Sequence, residues 1–223
     1  MLRLALAAIS GWLAAWVLLP EDWLPHPQDI FAWYLPGTLF GLFVLVPLID
    51  NPIRHWARSM FLLLVASYSH WAMWFVGLTA EEYADYLDLH GYATHETAYL
   101  IIGALAGIVF GLINSVAVAR VARIRFARSS WGAICLVSCM GGALFAAVLL
   151  RLFGLIEPSQ ANFVVESLNV YLAYVVFFLP FAAILGLGER RAIGKVERTD
   201  LVLFVVFMLL MLLSTIWSLS IWA

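Results

Sequence analysis

Seven apolar runs restrict the fold of this chain more than any other feature of its sequence. A helix needs about 20 apolar residues to cross the roughly 30 Å hydrocarbon core of a bilayer. The runs of about that length cover residues 2–20, 30–49, 60–79, 99–119, 131–155, 167–188 and 201–222. In a chain of 223 residues that is 65% hydrophobic and 12% charged, too little polar surface remains to enclose a water-soluble core. The sequence therefore predicts a single transmembrane domain over residues 1–223.

The seven runs predict an all-α fold, because a span in lipid must satisfy its backbone hydrogen bonds within itself, as a helix does. The expected architecture is a polytopic bundle of seven transmembrane helices, with the lipid bilayer as its main partner. An odd number of spans places the two ends of the chain on opposite sides of the membrane.

The charges indicate the orientation of this bundle. With the N-terminus in the cytoplasm, eleven of the twelve lysines and arginines fall on the cytoplasmic side, which is the bias known for short loops. This predicts a multi-pass protein of the inner membrane with its C-terminus outside. The arginines at 120–128 lie directly at a membrane exit, where they meet anionic headgroups, so no nucleic-acid partner is expected.

Residues 79–99 are rich in acids and contain two histidines but no lysine or arginine. Thr79 and Glu82 have the spacing of a capping box and Gly91 has the form of a helix stop, which predicts a short amphipathic helix lying on the outer membrane surface. The alternative is a divalent metal cofactor, because carboxylate and imidazole groups are the usual ligands of such ions. The four candidate ligands are Asp88, His90, His95 and Glu96.

The titratable residue nearest the middle of a predicted span is His70, in the third span, with Ser67 and Trp74 on the same helical face. Ionisable groups inside a membrane are candidates for function, because an imidazole there needs a partner or a hydrated cavity. The alternative is a neutral histidine that only holds helices together by hydrogen bonds.

Prolines interrupt two of the predicted spans. Pro36, followed by Gly37 and Thr38, lies in the second span at a depth similar to that of His70, and Pro180 lies in the sixth. Proline-interrupted spans in corresponding positions of two halves are typical of transporter binding sites. The pattern therefore favours a binding site near the midplane of the membrane.

Two further features suggest contacts. Gly103, Gly107 and Gly111 form a ridge of small residues, which predicts close packing either within the bundle or against a partner protein or second copy. Arg151, the one cation expected outside, either binds an anionic group or pairs with a nearby acid such as Glu157.

No motif in the sequence specifies a reaction. The leading hypothesis is a small inner-membrane transporter or permease, or the membrane subunit of a transport assembly, with its site around His70. The alternatives are an accessory or scaffold subunit that binds another membrane protein, and an intramembrane enzyme acting on lipid through the outer histidines and carboxylates.

Overall fold

The computed structural model describes residues 2–18, 29–89, 91, 95–155, 163–185, 188–190 and 202; side chains are described within 2–15, 34–73, 97–148 and 172–185, and at 91, 188 and 202. This part of the chain is almost entirely helical, which confirms the all-α prediction. The helices are α1 (Leu2–Leu18), α2 (Asp29–Phe40), α3 (Trp56–Leu89), α4 (His95–Val121), α5 (Arg128–Leu155) and α6 (Phe163–Ile184). Each covers most of one of the first six apolar runs. The seventh run, residues 201–222, lies outside the described residues except for residue 202.

Two helical stretches among the described side chains, Thr97–Val121 and Arg128–Val148, are long and apolar enough to cross a membrane. Three others, Leu2–Ala15, Tyr34–Leu48 and Leu172–Ile184, are apolar but shorter. The number of spans that the sequence predicts therefore stays a prediction.

The separate outer helix predicted from Thr79 is wrong. Instead, α3 continues without a break from Trp56 to Leu89, over 34 residues. Adding a residue to an existing helix gains a hydrogen bond without a new nucleation cost, and no proline interrupts α3. The predicted stop at Gly91 agrees with the structure, since Gly91 follows the end of α3 with a φ of 68°, in the left-handed region that glycine favours.

The segment after α2 is irregular. A π-helical turn, Gly41–Leu45, and a 3-10 turn, Val46–Leu48, follow Phe40 directly. Pro36 lies inside α2 and lacks the N–H that would bond to the carbonyl four residues earlier. A π turn inside a helical segment is rare and is often found at functional sites.

The six helices form a closed ring in chain order. Each packs against the next, and α1 packs against α6. Close contacts show that α2 and α3 run antiparallel, with Gly37 against His70 and Gly41 against Leu63. In the same way, α5 runs antiparallel to α4 and to α6, so α4 and α6 run in the same direction.

The ring has apolar residues outside and several polar residues inside. Leu136, Met140 and Leu144 form a stripe at four-residue spacing on α5 and are 61%, 55% and 48% exposed. By contrast, the described interior contains Ser10, Ser67, Ser69, His70, Asn114, Ser115 and Ser138, all buried. Most of the other buried residues are apolar, so these polar groups lie within a mainly apolar interior.

One end of the ring carries most of the described arginines. The connections from α2 to α3 and from α4 to α5 meet there, because α3 and α4 pack together and α3 starts where α4 ends. A short antiparallel pair of strands, β1 (Ile124–Arg125) and β2 (Glu189–Arg190), ties the segment after α6 to the same end. The arginines at this end are Arg54, Arg58, Arg120, Arg123, Arg125, Arg128 and Arg190.

Candidate functional site

Three polar residues of α3, namely Ser67, Ser69 and His70, form the centre of the candidate site, and all three are buried. Ser67 and His70, three residues apart, share one face of α3, and Ser69 points to another side. The three side chains nevertheless contact three different helices. Ser67 contacts α2, Ser69 contacts α4 and His70 contacts α6.

The contact with α6 joins the His70 imidazole to Tyr174. Nε2 of His70 and the Tyr174 hydroxyl are 3.1 Å apart, and both residues are at most 1% exposed. The two rings also stack, with their centroids 5.7 Å apart. On its other sides Tyr174 packs edge-on against Phe145 of α5, and its backbone lies against Gly11 of α1. Tyr174 thus links α3 with the opposite part of the ring.

The contact with α2 joins two hydroxyl groups. Thr38 Oγ1 and Ser67 Oγ are 2.5 Å apart, and each also contacts a carbonyl of its own helix, at Tyr34 (2.9 Å) and Leu63 (2.8 Å). Two hydroxyls have two protons for these three contacts. One hydroxyl therefore donates to the other, and only the second donates to its own helix, so the proton arrangement has two alternatives.

The contact with α4 runs through Asn114. Its Nδ2 donates to Ser69 Oγ at 2.7 Å and to the carbonyl of Phe110 at 2.8 Å, while Ser69 Oγ donates to the carbonyl of Ala66 at 2.9 Å. Asn114 Oδ1 is buried and has no hydrogen-bond partner among the described residues. A buried acceptor without a donor costs about 1–3 kcal/mol.

Gly37 lies beside this centre, against Ala66 and His70, and Pro36 precedes it in α2; both are buried. The role of Gly37 is close approach of two helices. A Cβ atom there would collide with the carbonyl oxygen of Ala66 and would lie 2.7 Å from Cβ of His70. Pro180 is six residues beyond Tyr174 on α6, and its ring lies near Gly141 of α5.

The other candidates cannot be placed by their side chains. Trp74 belongs to α3 and Arg151 to α5, but both side chains lie outside the described part. The same holds for the predicted metal ligands, since His90 is outside the described residues and so are the side chains of Asp88, His95 and Glu96. Among the side chains that are described, no three histidine, cysteine or acidic residues form a group able to hold a metal ion.

The glycine ridge of α4 packs against α5 of the same chain. A Cβ atom at Gly107 would collide with the carbonyl oxygen of Ser138, and one at Gly103 would lie 2.6 Å from the carbonyl oxygen of Gly142. At Gly111 it would collide with the Ser138 hydroxyl. A partner protein would have to displace α5 to use this ridge, so packing within the chain, the other prediction, is what the structure shows.

Three residues of the polar centre were not predicted from the sequence. Asn114 could have been recognised, because it is the one amide side chain in the predicted fourth span. Nothing in the sequence distinguishes Ser69 from Ser67 in the third span. In the same way, nothing distinguishes Tyr174 from Tyr171 in the sixth span. Only the packing of α6 against α1 and α5 shows which tyrosine meets His70.

Comparison of the chain with protein-family models, with curated protein sequences and with solved structures gives no match. The chemistry of the site therefore follows from its own groups. An imidazole can accept a proton at one nitrogen and release it from the other, and a tyrosine hydroxyl both donates and accepts. The His70–Tyr174 pair has the groups needed to bind a polar solute or to pass on a proton.

Proposed function

We propose that the protein is a multi-pass inner-membrane protein with seven spans, its N-terminus in the cytoplasm and its C-terminus outside. Two observations support this. The exposed stripe of Leu136, Met140 and Leu144 suits contact with lipid tails, and the arginines gathered at one end of the ring suit the cytoplasmic side.

Reporter fusions test this orientation. A reporter that is fluorescent only in the cytoplasm is expected to be bright when fused after Arg128 and dark when fused after Ala223. The reverse pattern, or two ends in the same compartment, would contradict the proposed orientation and number of spans.

We further propose that the protein moves a solute across the membrane, alone or as the membrane subunit of a transport assembly, through a midplane site around His70. The observation that carries this proposal is the fully buried hydrogen bond between His70 and Tyr174, next to the irregular second helix. Ionisable groups inside a membrane and interrupted helices are both typical of solute and proton pathways. In the arrangement seen here the site is closed, because His70 has no exposed surface.

In this mechanism His70 is the binding group and Tyr174 holds its ring in position. A charged imidazole would be costly in the closed site, since a charged group buried away from water loses its hydration. When the ring opens on one side, water reaches His70, and the imidazole can bind a proton or a polar solute. Closing on that side and opening on the other releases it.

Vesicles containing the purified protein test the role of His70. They are loaded with the pH dye pyranine and challenged in turn with glycine, glutamate, glucose and phosphate, and both dye response and uptake are recorded. His70→Ala is expected to reduce uptake to the level of protein-free vesicles. His70→Gln keeps hydrogen bonding but cannot bind a proton, so it separates solute binding from proton coupling.

The matched control is Leu136→Ala, on the exposed face of α5, which is expected to transport as the wild type does. If the wild type takes up a solute and His70→Ala takes it up equally well, the assignment of His70 is wrong. If the wild type never differs from protein-free vesicles, the proposed transport itself is wrong.

A further inference from the structure

The centre of the ring is filled by aromatic side chains. We define the aromatic cluster as Phe40 of α2, Phe110 of α4, and Phe177, Phe178 and Phe181 of α6; all five are at most 2% exposed. Helices α2, α4 and α6 alternate around the ring and are not neighbours in it. Their rings can touch only near its axis, so the aromatic cluster occupies the place where a passage would run.

Phe110 is the member of the aromatic cluster that contacts all the others. Its ring centroid lies 5.3 Å from that of Phe40, and 5.0, 6.1 and 4.9 Å from those of Phe177, Phe178 and Phe181. Phe40 and Phe178 complete a triangle at 4.8 Å. Removing the Phe110 ring would therefore open the cluster more than removing any other single ring.

Polar groups border the aromatic cluster. On α6, Tyr174 precedes Phe178 by one helical turn and bonds to His70. On α4, Asn114 follows Phe110 by about one turn. The polar atoms of Tyr174 and Asn114 meet consecutive residues of α3, because Tyr174 bonds to His70 and Asn114 bonds to Ser69. An apolar constriction beside polar groups is an arrangement that can exclude water and ions.

We propose that Phe110 closes the solute passage and is its gate residue. The inference rests on the transport function proposed above and adds the residue that controls it. When the gate opens, the ring of Phe110 moves away from α6, and water or solute reaches Asn114. The unpaired Oδ1 of Asn114 is then an acceptor within about one helical turn of the gate residue, and the hydrogen bond that it lacks in the closed arrangement forms there.

The test is the passive leak of vesicles that contain the full-length protein. Swelling in glycerol and in urea is followed by light scattering for the wild type, Phe110→Ala and the control Leu105→Ala. Leu105 lies on the same helix but is 53% exposed. Phe110→Ala is expected to leak at least roughly tenfold faster than the wild type, which requires lowering the barrier by only about 1.36 kcal/mol. Leu105→Ala is expected to match the wild type.

The outcomes separate the gate from the proposed function. If the wild type transports a solute in the pyranine vesicles and Phe110→Ala leaks no faster than it does, the gate assignment is wrong and transport stands. If neither differs from protein-free vesicles, both are wrong. Where Phe110→Ala does not fold, Phe110→Leu replaces it, since leucine keeps an apolar side chain in the core while removing the ring. A leak of Phe110→Leu no faster than that of the wild type would then show that the gate assignment is wrong.

Discussion

Two sets of helix contacts in the ring differ in the groups that form them. Between α4 and α5, Gly103 and Gly107 lie against Gly142 and Ser138, so the backbones of the two helices touch. Around α3, the contacts with α4 and α6 are hydrogen bonds between side chains, Ser69 with Asn114 and His70 with Tyr174. The backbone packing between α4 and α5 leaves no space for a side chain, whereas the side-chain hydrogen bonds of α3 can form and break.

This difference indicates which part of the bundle is fixed and which part can move. Close backbone packing depends on many small contacts that are all lost together when helices separate. A side-chain hydrogen bond inside a membrane protein contributes only about 0.6 kcal/mol on average. We therefore expect α4 and α5 to move as a unit, and the hydrogen bonds of α3 to Asn114 and Tyr174 to break when the site opens.

The largest effect is expected from a methyl group added between α4 and α5. Gly107→Ala places a Cβ atom into the backbone of Ser138 and Gly142, so the free energy of unfolding should fall by about 1–3 kcal/mol. The control is Gly132→Ala on α5, where nothing lies within 4 Å and where alanine should be neutral or slightly stabilising. Unfolding by sodium dodecyl sulfate, followed by circular dichroism, measures both. Equal stability of the two variants would show that α4 and α5 are not packed as described.

A smaller effect is expected from the bond between His70 and Tyr174. A double-mutant cycle with His70→Leu and Tyr174→Phe should give a coupling free energy of about 0.6 kcal/mol, and at most about 1.7 kcal/mol, the average and the maximum for hydrogen bonds between membrane helices. The same unfolding titration of the wild type, the two single variants and the double variant supplies the four values. Additive effects of the two substitutions would show that the side chains do not interact.

The smallest effect is expected at Thr38. In Thr38→Val the hydroxyl is lost, but Ser67 can then donate its proton to the carbonyl of Leu63, 2.8 Å away. The loss in unfolding free energy should therefore be below the average of roughly 0.6 kcal/mol for such bonds. A loss larger than that of Tyr174→Phe would mean that the hydroxyl pair, and not His70–Tyr174, is the main polar contact of α3.

The sequence predicted six of these helices and part of the site, for physical reasons that differ from residue to residue. Runs of apolar residues gave the helices because hydrophobic length is a property of each segment alone. Thr79 was misread as a helix start, since a capping pattern inside a longer helix looks the same as one at its end. His70, Ser67 and Thr38 were predicted because polar residues stand out within apolar runs.

Residues whose role depends on which helices pack together could not be predicted from local sequence patterns. Tyr174 contacts His70 only because α6 closes the ring against α1, and no local pattern records that closure. Phe110 is one of 15 phenylalanines in the chain, and its sequence neighbours do not distinguish it. Its importance follows from its position between α2 and α6, which only the fold reveals.

The proposed contact of the exposed apolar stripe on α5 with lipid is the claim on which the rest depends, and spin labels along α5 are its sharpest test. Single labels at 136, 140 and 144, and at 137, 139 and 143 for comparison, are placed in the protein in bilayers. Collision rates with oxygen, which concentrates in lipid, and with a water-soluble nickel complex are then measured. Maximal oxygen access and minimal nickel access are expected at 136, 140 and 144. High nickel access at those three positions would place the stripe in water and would rule out its contact with lipid.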